Sequence, residues 1–330
     1  MTAHGPIRIV HFGTPTYAVP SLRALAADAR YDVALVVTQP DRSAGRGNRM
    51  QASAVKVCAE DLKIPVYQPV SLRAESARTP LIESRSDLFV VAAYGLIFGA
   101  KTLAIPRYGC LNLHASLLPA YRGASPVTAA ILSGDAVTGV SVMVMEQGLD
   151  TGPVVERVTV PIEPTDTTES LTARLGLAAA DLAVDTAAGF VRGDRTPHAQ
   201  DPAGATIVRQ LVKADGWLDW NEPAILLDRR VRAMWPWPRA WTTFRGEPLQ
   251  IHSATVIEEH AAVPPGSLVM DSGRLAVSCG VGLLRLEVVQ PAGGRPMPGY
   301  AWAAGRRIGA GDQLGAGGTP PLPPPLIARV

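Results

Sequence analysis

The 330-residue chain is poor in cysteine, lysine, aromatic residues and net charge. Its three cysteines, Cys58, Cys110 and Cys279, are odd in number and far apart, with no CxxC or Cys/His cluster. A disulfide framework is therefore excluded and a metal site is not expected. A reducing compartment fits. Aromatics are 5% of the chain against 47% hydrophobic residues overall, so aliphatic packing must carry most of the burial. With 18% charged residues the composition suits a large core and not a disordered chain. Thirty-one basic residues against 29 acidic ones leave +2, which excludes a broad histone-like positive field. Only four of those 31 are lysines (Lys56, Lys63, Lys101 and Lys213), which leaves 31 − 4 = 27 arginines. That bias favours directed contacts over a diffuse field. The longest apolar run, Leu88 to Ala100, is shorter than the ~20 residues a spanning helix needs. The N-terminus, MTAHGPIRIV, lacks the apolar segment of a signal peptide. A soluble, cytoplasmic protein with no membrane partner is expected. Neither GxGxxG nor a Walker motif occurs, which disfavours a nicotinamide enzyme or a P-loop ATPase.

What is present begins with alternation. Ile7–Phe12, Val33–Thr38, Leu88–Ala93, Cys110–His114 and Gly139–Met145 are short apolar runs, and helical patterns such as Val19–Ala29 lie between them. This predicts an α/β domain built on a Rossmann-like, mostly parallel sheet covered on both faces. Ligands of such sheets sit beyond the carboxyl ends of the strands. A helix from about Thr167 to Val191, with Thr167 or Thr168 as N-cap, closes the domain at residue 192. Residues 193–208 are polar and turn-rich and read as a linker. Pro223–Met234 reads as an amphipathic helix. Five short strand-like runs between Ala240 and Val289 predict a smaller OB-like β-barrel within 209–314. The Gly/Pro-rich tail, 315–330, is expected to be flexible.

The chemistry concentrates at the end of the fourth run. Asn112 and His114 are two apart on a strand and point to one face. An amide donor beside an imidazole suits a carbonyl becoming tetrahedral: the amide holds the oxyanion and the imidazole donates to it or manages a proton. A satisfied strand-end histidine is the plainer alternative. Asp150 lies in a turn flanked by Gly148 and Gly152, which can aim its carboxylate back over the sheet. An Asx turn closed on its own loop is the alternative there. The stretch 39–53 is too long for an ordinary strand-to-helix link. It carries Arg42, Arg46 and Arg49 against Asp41, with Lys56 just beyond. Arginines on such a loop suit phosphates or unpaired bases.

The motifs Gln39-Pro-Asp-Arg-Ser-Ala-Gly-Arg-Gly47, Val91-Ala-Ala-Tyr-Gly-Leu-Ile97, Asn112-Leu-His-Ala-Ser-Leu-Leu-Pro119, Tyr121-Arg-Gly123, Leu149-Asp-Thr-Gly152 and Trp235-Pro-Trp-Pro238 occur in that order. In this set the chain resembles the methionyl-tRNA formyltransferase family, within the wider 10-formyltetrahydrofolate transferase group. The resemblance runs over roughly residues 7 to 292. It implies formyl transfer from 10-formyltetrahydrofolate to the α-amino group of methionyl initiator tRNA, with Asn112, His114 and Asp150 catalytic and no metal. It also implies a folate site at Ser116, Leu117, Leu118 and Pro119 and at Tyr94, Gly95, Leu96 and Ile97. Arg42, Arg46, Arg49, Lys56 and Lys213 are the implied tRNA contacts, and a monomer is expected. A sugar-nucleotide N-formyltransferase, a formyltetrahydrofolate hydrolase and a non-catalytic RNA- or folate-binding protein are the rivals. The arginine loop favours the tRNA enzyme, because a small sugar amine needs no such arm. The last segment, Gly299 to Ile308, matches the family loosely and the Pro-rich end does not.

Overall fold

The computed structural model describes residues 5–44, 49–257, 262–271, 273–308, 311–316 and 323–329. Along the first half run β1 (Ile7–Gly13), α1 (Val19–Ala27), β2 (Tyr31–Val37), β3 (Arg42–Ala44), β4 (Arg49–Gln51), α2 (Ala54–Asp61) and β5 (Val66–Tyr67). They are followed by α3 (Glu75–Glu83), β6 (Leu88–Ala92), α4 (Ala100–Leu103), β7 (Cys110–His114), β8 (Arg122–Gly123), α5 (Pro126–Ser133), β9 (Val137–Val144), β10 (Val154–Pro161) and α6 (Thr168–Arg192).

The main sheet has seven strands in the order β10-β9-β7-β6-β1-β2-β5. Strands β1, β2, β5, β6 and β7 are parallel; the continuous apolar runs predict this for all but the two-residue β5, which the sequence reading did not include. The expected fifth run, now β9, pairs antiparallel with β7, and β10 pairs antiparallel with β9, so the sheet is mixed at this edge. Strand β10 escaped the sequence reading because its outer half alternates between half-buried and exposed positions, as an edge strand does. One face packs against α1 and α6 through Leu22, Leu25, Leu171 and Leu175. The other gathers the scarce aromatics: the Phe12 ring lies 4.9 Å from both Phe89 and Phe98 and 5.3 Å from Tyr94. Thr167 caps α6 as expected: its Oγ1 accepts from the Ser170 amide at 3.2 Å, and the Ser170 hydroxyl accepts from the Thr167 amide at 3.0 Å. No helix among the described residues is long and apolar enough to cross a membrane.

The second half contains β11 (Thr206–Val208), α7 (Ala224–Ala233), β12 (Ala240–Phe244), β13 (Glu247–Ile257), β14 (Leu268–Asp271), β15 (Arg274–Ser278), β16 (Leu283–Pro291), β17 (Met297–Pro298), α8 (Gly299–Arg306) and β18 (Ile327–Arg329). Strands β12 to β16 form an antiparallel sheet in the order β12-β13-β16-β15-β14, with β17 paired to β16. Residues 312–315 join its two edges. The Leu268 amide donates to the Asp312 carbonyl at 3.2 Å, and the Gly315 amide to the Thr243 carbonyl at 2.8 Å. Its core holds Trp220, Leu249, Ile251, Leu284 and Trp302.

Helix α7 meets the first domain directly. Arg232 Nη1 donates to the Asp166 carbonyl at 2.9 Å, the Thr168 hydroxyl to the Ala233 carbonyl at 2.7 Å, and Trp235 Nε1 to Glu169 Oε2 at 3.0 Å. Trp235 of the Trp-Pro-Trp-Pro segment thus packs a domain junction, whereas Trp237 is exposed.

The segment read as a linker is paired over its end. Strand β11 lies between β8, to which it is parallel, and β18, to which it is antiparallel. Ile327–Arg329 finds an open strand edge, and Arg209 Nη2 holds the Pro324 carbonyl at 2.6 Å. Tail residues 317–322 and 330 lie outside the described residues.

Candidate active site

Parallel pairing brings the ends of β1, β6 and β7 to one rim: Gly13 stands beside Ala92, and Val91 beside Asn112. On β7, Asn112 is half-buried and His114 is buried, with both side chains on one face. The turn after β9 folds back over them. Gly152 permits this, because a Cβ there would collide with the Val144 carbonyl.

Asp150 sits where three donors converge. Its Oδ2 accepts from the Gly123 amide at 2.8 Å, and its Oδ1 lies 3.4 Å from Asn112 Nδ2. His114 Nδ1 is 3.6 Å from Oδ2, a charge contact longer than a hydrogen bond. His114 Nε2 is 2.9 Å from the Tyr121 carbonyl. A carbonyl only accepts, so Nε2 carries a proton and Nδ1 is the nitrogen turned to the carboxylate. The structure thus brings Asn112, His114 and Asp150 together, although 38 residues separate Asn112 from Asp150. His114 is indeed hydrogen-bonded at the strand end, but by Nε2 alone.

Two strained positions hold this geometry. Asp150 has φ 51° and Tyr121 φ 59°, left-handed values that non-glycine residues adopt only where neighbours enforce them. Tyr121 is pinned at both ends: its amide donates to the Thr206 hydroxyl oxygen at 2.8 Å, and its phenol donates to Asp135 Oδ2 at 2.6 Å. Burial, with that carboxylate beside it, pushes the phenol up to about 12, so it stays a donor. Gly123, at φ 105°, must be glycine, since a Cβ would meet the Val208 carbonyl.

The candidate folate residues lie on the same rim. Leu118 is buried and its peptide bond to Pro119 is cis. Ser116 and Ser141 fix this turn: the Ser116 hydroxyl donates to the Ala120 carbonyl at 2.6 Å, Ser141 Oγ donates to the Ser116 carbonyl at 2.7 Å, and the Leu118 amide donates to Ser141 Oγ at 3.0 Å. After β6, Tyr94 is buried while Gly95 and Ile97 are exposed. The Tyr94 carbonyl accepts from Thr14 Oγ1 at 3.1 Å and Gln39 Nε2 at 2.7 Å.

The arginine stretch is partly regular: β3 and β4 form a hairpin within it, pairing Arg42 with Gln51. Exposed Arg42 contacts Gln39 Oε1 through Nη2. Arg46 lies outside the described residues, as does the side chain of Arg49. Lys56 is not free at the surface: its Nζ is 2.7 Å from Asp41 Oδ2 and fixes the base of the stretch. Lys213 stands in the second domain with its Nζ 5.7 Å from the centre of the Trp241 ring. Among the described residues no group of three or more His, Cys, Asp or Glu side chains is arranged to hold a metal ion.

Sequence reasoning passed over groups that contact the site: the Gly123 amide, the Tyr121 carbonyl, Thr206, and Gln200, whose Nε2 donates to the Asp150 and Gly152 carbonyls. Tyr121 and Gly123 belonged to a recognised motif without an assigned role. Gln200 was hidden in a stretch whose polar composition reads as linker.

Residues 7–186 match the formyl transferase family model and residues 210–307 the model of the formyl transferase C-terminal domain. The chain belongs to the formyl transferase family. Within it, the chain stands among the methionyl-tRNA formyltransferases. It is 48% identical to the methionyl-tRNA formyltransferase of Roseiflexus castenholzii over 94% of this chain and 99% of that one. It is 44% identical to that of Coxiella burnetii over 95% and 98% respectively. Among solved structures, an N-formyltransferase from Helicobacter canadensis, in complex with folinic acid and dTDP-3-aminofucose, shares the fold with TM-score 0.63. That match has 15% identity over 85% of this chain and 99% of the other. HypX from Aquifex aeolicus matches at TM-score 0.61 and 15% identity over 91% of this chain and 49% of its own.

Proposed function

We infer that the chain transfers the formyl group of 10-formyltetrahydrofolate to the α-amino group of methionyl initiator tRNA, and that Asn112, His114 and Asp150 carry the step. The observation that carries this reading is the meeting of amide, imidazole and carboxylate at the carboxyl rim of the sheet. The neutral amine attacks the formyl carbon, a C–N bond forms, and the carbonyl oxygen gains charge. Asn112 has one N–H directed at Asp150 and a second left for that oxygen. Protonated His114 adds charge beside it. Asp150 takes the proton released by the attacking nitrogen and passes it to the leaving nitrogen of the donor as the old C–N bond breaks. Ser116 to Pro119 and Tyr94 to Ile97 hold the donor. Arg42, Arg46 and Arg49, with Lys213, meet the tRNA, and Lys56 supports them through Asp41. We assign a monomer acting in the cytoplasm.

The test is steady-state formylation of methionyl-tRNA by Asn112→Ala and His114→Ala. Each group is expected to contribute about 10²–10³ in kcat, with KM for tRNA little changed. A change confined to KM contradicts the catalytic assignment.

A further inference from the structure

We propose that Gln200 is a positioning residue for the transfer reaction, one that holds the Asp150 turn from the segment joining the two domains. The inference rests on the reading of Asp150 given above.

The turn from Glu146 to Leu149 is exposed, and little of its own burial fixes it. Its catalytic residue nevertheless sits in a left-handed conformation, which needs outside support. Gln200 supplies it. Its Nε2 donates to the Asp150 carbonyl at 2.8 Å and to the Gly152 carbonyl at 2.7 Å. Its Oε1 accepts from Arg122 Nε at 3.1 Å and Arg122 Nη2 at 2.8 Å. All four hydrogen-bonding positions of the amide are thus used. The buried Arg122 guanidinium also sets which way the amide faces. A flipped amide would turn its NH₂ toward the guanidinium and its oxygen toward two carbonyls.

The same segment holds the other side of the site. Thr206 Oγ1 accepts from the Tyr121 amide, and the Val208 carbonyl accepts from the Ala124 amide at 2.9 Å. His114 is bonded to Tyr121, and Asp150 to Gly123. Both partners of the His114–Asp150 contact are therefore braced from the inter-domain segment, and Gln200 is the side chain that reaches the carboxylate's own turn.

Gln200→Glu separates this role from general stability. Its carboxylate keeps Arg122 as a partner, now as an ion pair, but offers no donor to the carbonyls of Asp150 and Gly152. Gln200→Ala removes both contacts. For Gln200→Glu we expect kcat for formyl transfer to fall by about 10- to 100-fold, KM for donor and tRNA to stay within about twofold, and the melting temperature to hold. The pH profile of kcat should move in both variants, because the carboxylate is no longer held 3.6 Å from His114 Nδ1. Asp150→Asn is measured beside them. If it abolishes transfer while both Gln200 variants keep wild-type kcat and pH profile, the positioning role is overturned and the reading of Asp150 stands. If Asp150→Asn itself keeps wild-type kcat, the reading of Asp150 fails first. A kcat loss that follows a lowered melting temperature and disappears when the assay is cooled also overturns the proposal, since it marks a merely structural residue.

Discussion

Asp150→Asn probes the centre of the site with the smallest change in shape. The carboxylate faces donors only: the Gly123 amide at 2.8 Å, Asn112 Nδ2 at 3.4 Å and His114 Nδ1 at 3.6 Å. An amide in its place cannot satisfy this set. With its oxygen toward Gly123 and His114, its NH₂ faces Asn112; turned over, it faces the Gly123 amide. The fold tolerates the first orientation, so the melting temperature should change little. The larger loss is electrostatic. Side-chain exposures of 16% for Asp150 and 6% for His114 put the pair closer to protein interior than to bulk water. At 3.6 Å and an effective dielectric constant of about 20, a carboxylate stabilises an imidazolium by about 4–5 kcal/mol. The same pair in bulk water would gain about 1 kcal/mol. The excess over bulk water, about 3–4 kcal/mol, at about 1.4 kcal/mol per decade should slow the chemical step by about 10²–10³. Rapid-quench single turnover, with donor and methionyl-tRNA saturating, isolates that step. A single-turnover rate within threefold of wild type would refute the reasoning.

Two further predictions concern other parts of the molecule. His11 is fully buried on β1; its Nε2 lies 3.0 Å from Ser21 Oγ, and burial pulls its pKa from 6.5 down to about 3. The unfolded chain takes up this proton near pH 6.5 and the folded one only near pH 3, so folding stability falls as pH drops through that window and is unaffected above it. The slope is about 1.4 kcal/mol per pH unit, or about 2 kcal/mol lost by pH 5. Urea unfolding of wild type and His11→Gln at pH 7 and 5 checks it; an unchanged pH dependence in the variant contradicts it. Arg42→Ala should raise KM for methionyl-tRNA several-fold, leave KM for the formyl donor unchanged, and reduce the slope of log affinity against log salt by about 1. Equal salt slopes would remove Arg42 from the phosphate contacts.

Much of this was legible in the residues, for identifiable reasons. Strand β6 is apolar at every position because both faces of the sheet are covered there, and the pattern announces it. Asn112 and His114 share a face by strand geometry alone. Thr167 marks a helix start because its hydroxyl serves an otherwise unpaired amide. The direction of β9 was not legible, since an apolar run reads the same whether its neighbour is parallel or antiparallel. Nor was the meeting of Asp150 with His114, which depends on a turn folding back across the sheet. The role of residues 200–208 was hidden for a related reason. Polar, turn-rich composition marks exposed backbone as readily as it marks side chains that bond another loop. The end of the tail shows the same limit: Ile327–Arg329 carries no strong strand signal, and the open edge of β11 decides its conformation.

One measurement bears most directly on the central claim. The wild-type protein is given 10-formyltetrahydrofolate labelled in the formyl group, with methionyl initiator tRNA and a sugar-nucleotide amine present together at equal concentration. The account predicts that label accumulates as formyl-methionyl-tRNA. Label in the sugar nucleotide, or released as formate without transfer, would contradict it.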